Sequence, residues 1–293
     1  MKKFIWRVRK LSWYIEEFLM NIRLWYLVKF NKKIFNSNPT PLEKEGYKIT
    51  LIDEFNGNEL NKNMWMDLTY FGLRFHPGNI IDKGIAPTTY YSEYNNVVSE
   101  GTLKQYTKKE DVDIHYIDWD GKDWGNYTIP FTSAILTSKE LKQQYGYFEI
   151  RAKMPRSTST WPAFWLTGVN SWPPEIDIYE WYGSKSYDNF SSTFHWGVEK
   201  TESRGMSGWT HKLFDLTQDF HIYGCEWTPK HIKIYFDGVC VRTFKCKKAL
   251  EWFNRPQDVM YVVINGGIEE SKFDEATFPN IHEIDYVKAY KKI

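Results

Sequence analysis

The sequence predicts an all-β sandwich or jelly roll with a helical segment in front of it, and three observations carry that prediction. From Tyr47 onward, short apolar alternations such as Lys48-Ile49-Thr50-Leu51-Ile52 recur between clusters of Gly, Asn, Asp and Pro, the pattern of strands and turns. No long run with helical spacing interrupts them. At 293 residues the chain has room for one all-β domain of roughly 200–250 residues plus an extension. Many short strands with turn signals at modest spacing suit a sandwich or jelly roll.

Composition narrows the partners. Net charge is +1 from 38 basic and 37 acidic residues, so nothing global draws the chain to nucleic acid. Aromatic residues make up 18%, with 14 Trp, 20 Tyr and 19 Phe. That suits either a ring-rich core or rings that stack on flat ligands such as sugars, and both can hold. The cysteines, Cys225, Cys240 and Cys246, are odd in number and show neither metal spacing nor a disulfide framework. Cys225 and Cys240 sit in apolar runs, where a buried thiol is the default. The compartment stays open.

Residues 1–45 are expected to form a basic amphipathic segment and linker, and residues 46–293 the main domain. Lys2, Lys3, Arg7, Arg9, Lys10, Arg23, Lys29, Lys32 and Lys33 face only Glu16 and Glu17. Apolar residues recur at Leu11, Tyr14, Ile15, Phe18, Leu19, Ile22, Trp25 and Tyr26, the spacing of an amphipathic helix. Such a helix can lie on an anionic membrane surface or pack on the main domain or a partner chain. The longest apolar run, Leu24 to Val28, is too short to span a bilayer. No apolar stretch followed by a small-residue cleavage site is visible, so a standard signal peptide is not expected. Asn36 to Glu45, with Pro39 and Pro41, reads as a linker.

Within the main domain, residues 106–129 are polar and aromatic and read as an excursion between strands. Asp118-x-Asp120-Gly121-x-Asp123 has the look of a calcium loop but lacks its Gly at the sixth position and Glu at the twelfth, so a turn is expected. Further on, Tyr147, Glu149, Arg151 and Lys153 alternate with Phe148, Ile150 and Ala152, a half-buried strand. Trp161, Ala163 and Trp165 would share one face of the next strand. The two indoles there make either a platform for pyranose rings or two core residues.

The most informative stretch is Glu175-Ile176-Asp177-Ile178-Tyr179-Glu180-Trp181. Its apolar residues are strong strand formers, and a period of two puts Glu175 and Asp177 on one face. Glu180 would point the other way unless a β-bulge between Asp177 and Glu180 adds one residue. With the bulge, three carboxyls share a face while Ile176, one of Ile178 and Tyr179, and Trp181 turn inward. Carboxylates this close repel, so at least one must keep a raised pKa. Glycoside hydrolysis uses that asymmetry, with one carboxylate as nucleophile and one carboxylic acid to protonate the leaving oxygen. The two Glu Cα atoms lie roughly 13 Å apart at about 3.3 Å per residue over four effective steps. Side chains leaning inward on a curved strand can close that to the roughly 5–5.5 Å of a retaining pair. A solvated or metal-binding acidic face is the plain alternative for such a motif taken alone.

The flanking blocks weigh against that alternative. Asp53-Glu-Phe-Asn-Gly57, Tyr145-Gly-Tyr-Phe-Glu-Ile-Arg-Ala-Lys-Met154, Trp161-Pro-Ala-Phe-Trp-Leu166, Glu175 to Glu180, Phe194-His195, Tyr223-Gly-Cys-Glu-Trp-Thr-Pro229, Tyr235-Phe-Asp-Gly238 and Ile284-Asp-Tyr-Val-Lys-Ala-Tyr290 together resemble glycoside hydrolase family 16. The resemblance spans nearly all of residues 47–293, with the blocks in family order. It implies a concanavalin-like β-jelly roll of two stacked antiparallel sheets and retaining endo-hydrolysis of a β-linked polysaccharide. By that resemblance Glu175 is the nucleophile, Glu180 the acid/base, and Asp177 the carboxyl that positions and tunes the nucleophile. The extra residue matches the bulged branch of the family, which is typical of β-1,3-glucanase-like, agarase and carrageenase members.

The same resemblance implies a β-1,3- or mixed-linkage β-1,3/1,4-glucan as substrate, with Trp161, Trp165, His195 and Arg151 lining the cleft. No cofactor is implied. A structural calcium of the kind some members carry would take Glu54 and Asp285. Pro173-Pro174 stand where many glucanases have Gly, and Ile264-Asn-Gly-Gly-Ile268 lacks a tryptophan often found after that Gly pair. Both departures loosen the substrate assignment. A carbohydrate-binding lectin on the same sandwich, a transglycosylase, and action on a galactan or capsular polysaccharide stay as alternatives. A substrate of this kind is extracellular, and the sequence leaves the route to it open.

Overall fold

In the computed structural model the described residues are 2–36, 45–198, 203–211, 213–255, 259–269 and 277–293. Residues 37–44 of the expected linker lie outside them. The chain opens with α1 (Lys2–Phe30). Then come β1 (Tyr47–Asp53), β2 (Trp65–Met66), α2 (Gly78–Lys83), β3 (Thr89–Tyr91), β4 (Asn96–Ser99), β5 (Thr102–Ile117), β6 (Asp123–Ser133) and β7 (Ile135–Ser138). The middle holds β8 (Gly146–Lys153), β9 (Ala163–Gly168), β10 (Glu175–Glu180), β11 (Phe190–Trp196) and β12 (Arg204–Thr210). The remainder is β13 (His221–Thr228), β14 (His231–Phe236), β15 (Val239–Phe244), α3 (Lys247–Phe253), β16 (Met260–Asn265) and β17 (Asn280–Lys292).

The strands form two sheets. One runs β15-β14-β13-β8-β17-β5-β6-β3, with β1 also beside β17 and β4 beside β5. The other runs β12-β11-β10-β9-β16-β7-β2. The expected antiparallel pairing holds except where β3 runs parallel to β6. A parallel neighbour needs a long crossover, and β4 and β5 lie in the chain between the two.

Alternation puts one face of each sheet into a shared core. In β8, Phe148, Ile150 and Ala152 are fully buried, as their spacing predicts. Ile176, Ile178 and Trp181 meet them from the other sheet, as do Phe164, Leu166 and Val262. Each of the larger aliphatic and phenylalanine side chains contributes about 1.5–3 kcal/mol by leaving water.

Residues 106–129 correct an expectation: most of them lie in the β5–β6 hairpin, with Val112 opposite Ile129, Ile114 opposite Tyr127 and Tyr116 opposite Gly125. Its polar residues disguise a strand that buries only one narrow face. Tyr116 and Ile129 pack with Phe75 and Ile80 of the α2 region in a small second core. The acidic loop at the hairpin's tip is a turn, as expected. Asp118 Oδ1 accepts from the Asp120 and Lys122 amides, and Oδ2 from Trp124 Nε1.

β12 and β15 are edge strands of the two sheets, and α1 packs on both. Unpaired strand edges invite association with other chains. Here Asn21 Nδ2 donates to the Trp209 carbonyl at 3.0 Å and Asn21 Oδ1 accepts from the His211 amide at 2.8 Å. Glu17 Oε1 accepts from the Trp209 amide at 2.6 Å. Two helical side chains thus satisfy backbone groups that a neighbouring strand would otherwise take. Leu24 is fully buried between them and the core, with Met20 and Leu27 beside it.

Arg242 of β15 threads into this seam. Its guanidinium donates to the Ser192 carbonyl at 3.2 Å and lies 3.7 Å from Glu17. Burial lowers its pKa to about 10, and Glu17 opposes that shift. Gly208 makes the passage possible, because a Cβ there would sit 1.9 Å from Arg242 Nη2.

Glu17→Ala removes the acceptor for Trp209 and leaves a buried guanidinium without its carboxylate. It should lower unfolding free energy by about 3 kcal/mol, read from urea unfolding monitored by tryptophan fluorescence. A loss below about 1 kcal/mol, the net worth of an ordinary hydrogen bond, would mean that the ion pair adds nothing.

Candidate active site

The site lies on the face of the seven-stranded sheet that turns away from the core, and β10 is its centre. The ladder shows the bulge that the carboxylate spacing demanded. On the β9 side Asp177 faces Trp165, Tyr179 faces Phe164 and Glu180 faces Ala163, so Ile178 is the unpaired residue. On the β11 side Asp177 faces Thr193 and Glu180 faces Ser191. Three residues advance against two, and Glu180 returns to the face of Glu175 and Asp177. Ile178 and Tyr179 are both fully buried, where the sequence reading assigned only one of them inward.

Each carboxyl has its own surroundings. Glu175 Oε2 accepts from Trp172 Nε1 at 3.0 Å, and Oε1 lies 3.5 Å from His195 Nε2. The same imidazole nitrogen is 3.5 Å from Asp177 Oδ2. Glu180 is held by four donors: Trp161 Nε1 at 3.3 Å and Tyr182 Oη at 2.9 Å on Oε1, Ser191 Oγ at 3.3 Å and Thr193 Oγ1 at 3.0 Å on Oε2. The Trp161 and Tyr182 rings stack at 5.8 Å between centroids. Trp209 continues the row, 5.8 Å from Tyr182. Trp165 donates to Asn265 Oδ1 at 2.7 Å and meets Tyr70 edge-on.

Burial pushes both Glu175 and Asp177 well above the usual carboxylate range. For Glu175 the nearby Asp177 charge adds to burial, while His195 and the Trp172 hydrogen bond pull the other way. For Asp177 burial and, after it, the Glu180 charge raise it. Both directions disfavour ionising the two carboxyls at once, so Glu175 and Asp177 hold a proton as a pair.

Glu175, Asp177 and His195 also offer ligand atoms within 4.8 Å of one another, a donor set that could hold a cation. The proposed calcium residues are a different matter. Glu54 accepts from Lys288 at 3.0 Å and Asp285 from Arg151 at 2.7 Å. Both are spent on basic side chains, and among the described residues no metal-capable cluster includes either. They do not fit a calcium site.

Trp161 reaches Glu180, His195 lies beside Glu175 and Asp177, and Trp165 of β9 pairs with Asp177. Arg151 does not join them. It belongs to β8 in the other sheet, paired with Asp285 and with its guanidinium 5.0 Å over Phe220. Alternation correctly gave Arg151 an outward side chain but could not say which sheet that face belonged to. The reading missed Trp172, Tyr182, Ser191 and Thr193. The last two were within reach, because His195 with a period of two implies Thr193 and Ser191 on the same face of β11.

The chain is thus a two-sheet jelly roll with paired glutamates on a bulged strand flanked by indoles. The chain belongs to glycosyl hydrolases family 16, whose family model matches residues 88–288. It is 36% identical over 165 residues to the endo-1,3-1,4-beta-glycanase ExsH of Rhizobium meliloti, covering 55% of this chain and 33% of that protein. It is 28% identical over 278 residues to the glucan endo-1,3-beta-glucosidase A1 of Niallia circulans, covering 87% and 39%. The chain thus spans between about a third and two fifths of these relatives' length. Among solved structures, the catalytic domain of a laminarinase from Thermotoga petrophila is similar with a TM-score of 0.65 and 26% identity, over 84% of this chain and 98% of that one.

The raised pKa of Asp177 has a consequence for stability. Its folded-state proton is bound more tightly than in the unfolded chain, where Asp titrates near 3.9. That stabilisation is complete below the unfolded pKa and is lost as pH rises through the folded one. Asn cannot ionise, so Asp177→Asn should melt higher than the wild type at about pH 8, with the gap closing toward about pH 4. Each kcal/mol corresponds to roughly 2–4 °C in calorimetry. Parallel curves across the range would contradict the buried-proton assignment.

Proposed function

We propose that this protein is a retaining endo-β-glycanase that hydrolyses a β-1,3- or mixed-linkage β-1,3/1,4-glucan. The observation that carries this reading is the bulge in β10, which turns Glu175 and Glu180 to one face in different surroundings. The names of the relatives support the substrate class, and Trp161, Trp165 and Tyr182 offer rings on which sugars can stack.

In the first step Glu175 attacks the anomeric carbon while Glu180 gives its proton to the departing glycosidic oxygen. The C1–O bond breaks and a glycosyl ester on Glu175 forms. Asp177 keeps its proton and, with His195 and Trp172, holds the Glu175 carboxylate in position. The four donors around Glu180 fix the direction of its carboxyl. Once the first product leaves, Glu180 takes a proton from water, whose oxygen attacks C1 and releases Glu175. The chemistry runs on two carboxyl groups and water.

Glu175→Gln and Glu180→Gln should each lower kcat by about 10²–10⁴-fold, with unchanged circular dichroism and melting temperature. Near-wild-type turnover by either variant would overturn the role given to that residue. A reducing-end assay on laminarin, mixed-linkage glucan, agar, carrageenan and xyloglucan should give the first two as substrates. Proton NMR of the first-formed product should show the β-anomer. An α-anomer would overturn retention, and binding without cleavage on every polysaccharide would make the protein a lectin.

A further inference from the structure

We propose that the outward face of α1 is a binding surface for an anionic lipid bilayer, on which the helix lies flat. At 29 residues and 1.5 Å per residue, α1 is about 44 Å long. Glu17, Met20, Asn21, Leu24 and Leu27 face the domain. A helix needing only that docking would carry polar residues on its other side. Instead Tyr14, Ile15, Phe18, Leu19, Ile22, Trp25, Tyr26 and Phe30 are exposed. Phe18 leaves 64% of its surface in solvent and Phe30 61%. At 100° per residue these eight side chains fall within an arc of about 160°, opposite the docked residues. Single exposed apolar residues are ordinary, but a contiguous stripe of this size marks an interaction surface.

Charge selects the occupant. Residues 1–36 carry nine basic and two acidic residues, against 29 basic and 35 acidic in the rest of the chain. Of the two acids, Glu17 is turned to Trp209 and Arg242. The segment that carries the exposed stripe is therefore basic, while the rest of the chain is net acidic. Lys29 places its ammonium 5.0 Å over Trp25 and 5.3 Å over Phe30, joining the basic and aromatic features. Apolar and aromatic residues on one side with lysine and arginine around them are what an anionic interface binds, with rings at headgroup depth and ammonium groups among phosphates. No described helix is long and apolar enough to cross a membrane, which fits a helix on the surface rather than through it.

The test uses the full chain in sedimentation with vesicles of phosphatidylcholine alone and of phosphatidylcholine with phosphatidylserine. The wild type should pellet with the phosphatidylserine vesicles and be released by added salt. The variant Phe18→Ser/Trp25→Ser/Phe30→Ser, altered only at exposed positions, should partition about tenfold less or weaker still. Its melting temperature, which reports the docked face, should stay at the wild-type value. Failure of the wild type to bind phosphatidylserine vesicles would overturn the proposal, as would equal binding by the variant. Equal, salt-independent binding to both vesicle types would overturn the anionic assignment. Analytical ultracentrifugation supplies the remaining arm: a wild-type dimer that the variant dissolves, with no vesicle binding, would give the face to a second copy of the chain.

Discussion

The constraint on which the site depends is one extra residue in β10. Without it, Glu180 would point into the core and Trp181 toward solvent. With it, one strand turns three carboxyls outward and still buries Ile176, Ile178, Tyr179 and Trp181. The bulge is tied down from behind. Tyr179 Oη lies 2.7 Å from His282 Nε2 on β17 in the opposite sheet. Burial lowers the His282 pKa to about 3, so the ring is neutral, with one nitrogen accepting and the other donating. Its Nδ1 lies 3.1 Å from Gln105 Oε1, and Gln105 in turn donates to Asn96 and to the Ile264 carbonyl. A buried polar chain with its partners in place fixes geometry in a way that apolar packing alone does not.

In front of the bulge the sheet divides the three carboxyls by their surroundings. Glu180 sits among hydroxyl and indole donors from β11 and from the residues that flank β9 and β10. Glu175 has an indole and an imidazole. Asp177 is the most buried of the three, and burial and, after it, the Glu180 charge raise its pKa. Burying an ionisable group that is compensated only by a retained proton costs stability. The site accepts that cost to hold three carboxyls in unlike surroundings on one strand. The β11 residues show how economical this is, since Ser191, Thr193 and His195 at a period of two reach Glu180 and Glu175 from one strand.

How much of this was legible follows from the range of each signal. The bulge was readable because a period of two makes three carboxylates in six residues inconsistent without it, and only residues 175–180 enter that argument. The half-buried β8 was readable for the same reason. Which sheet a strand joins is set by pairings between residues far apart in the chain, such as Glu149 opposite both Lys288 and Gly224. Arg151 and Asp285 therefore looked like candidates for separate sites and turned out to be partners. The β5–β6 hairpin was hidden because the charged run Lys108-Lys109-Glu110-Asp111 interrupts β5 ahead of its short apolar alternation at Val112, Ile114 and Tyr116. Trp172 and Tyr182 flank the acidic strand in sequence, but their aim depends on the loops that carry them, and period-two reasoning stops at the strand's end.

The remaining piece, α1, shows why a sandwich with two open edges would need something outside its sheets. β12 and β15 both end their sheets and expose backbone groups, and a further strand could pair with only one of them. A helix lying across both can reach each with side chains, as Glu17 and Asn21 do for β12 and Glu17 does for Arg242 of β15. That contact bears on the site, because the backbone of Trp209 is what the helix holds and its ring continues the row from Trp161 and Tyr182. One face of α1 suffices for all of this. The large apolar residues on its other face remain mostly exposed, so docking on the two sheets does not by itself account for them.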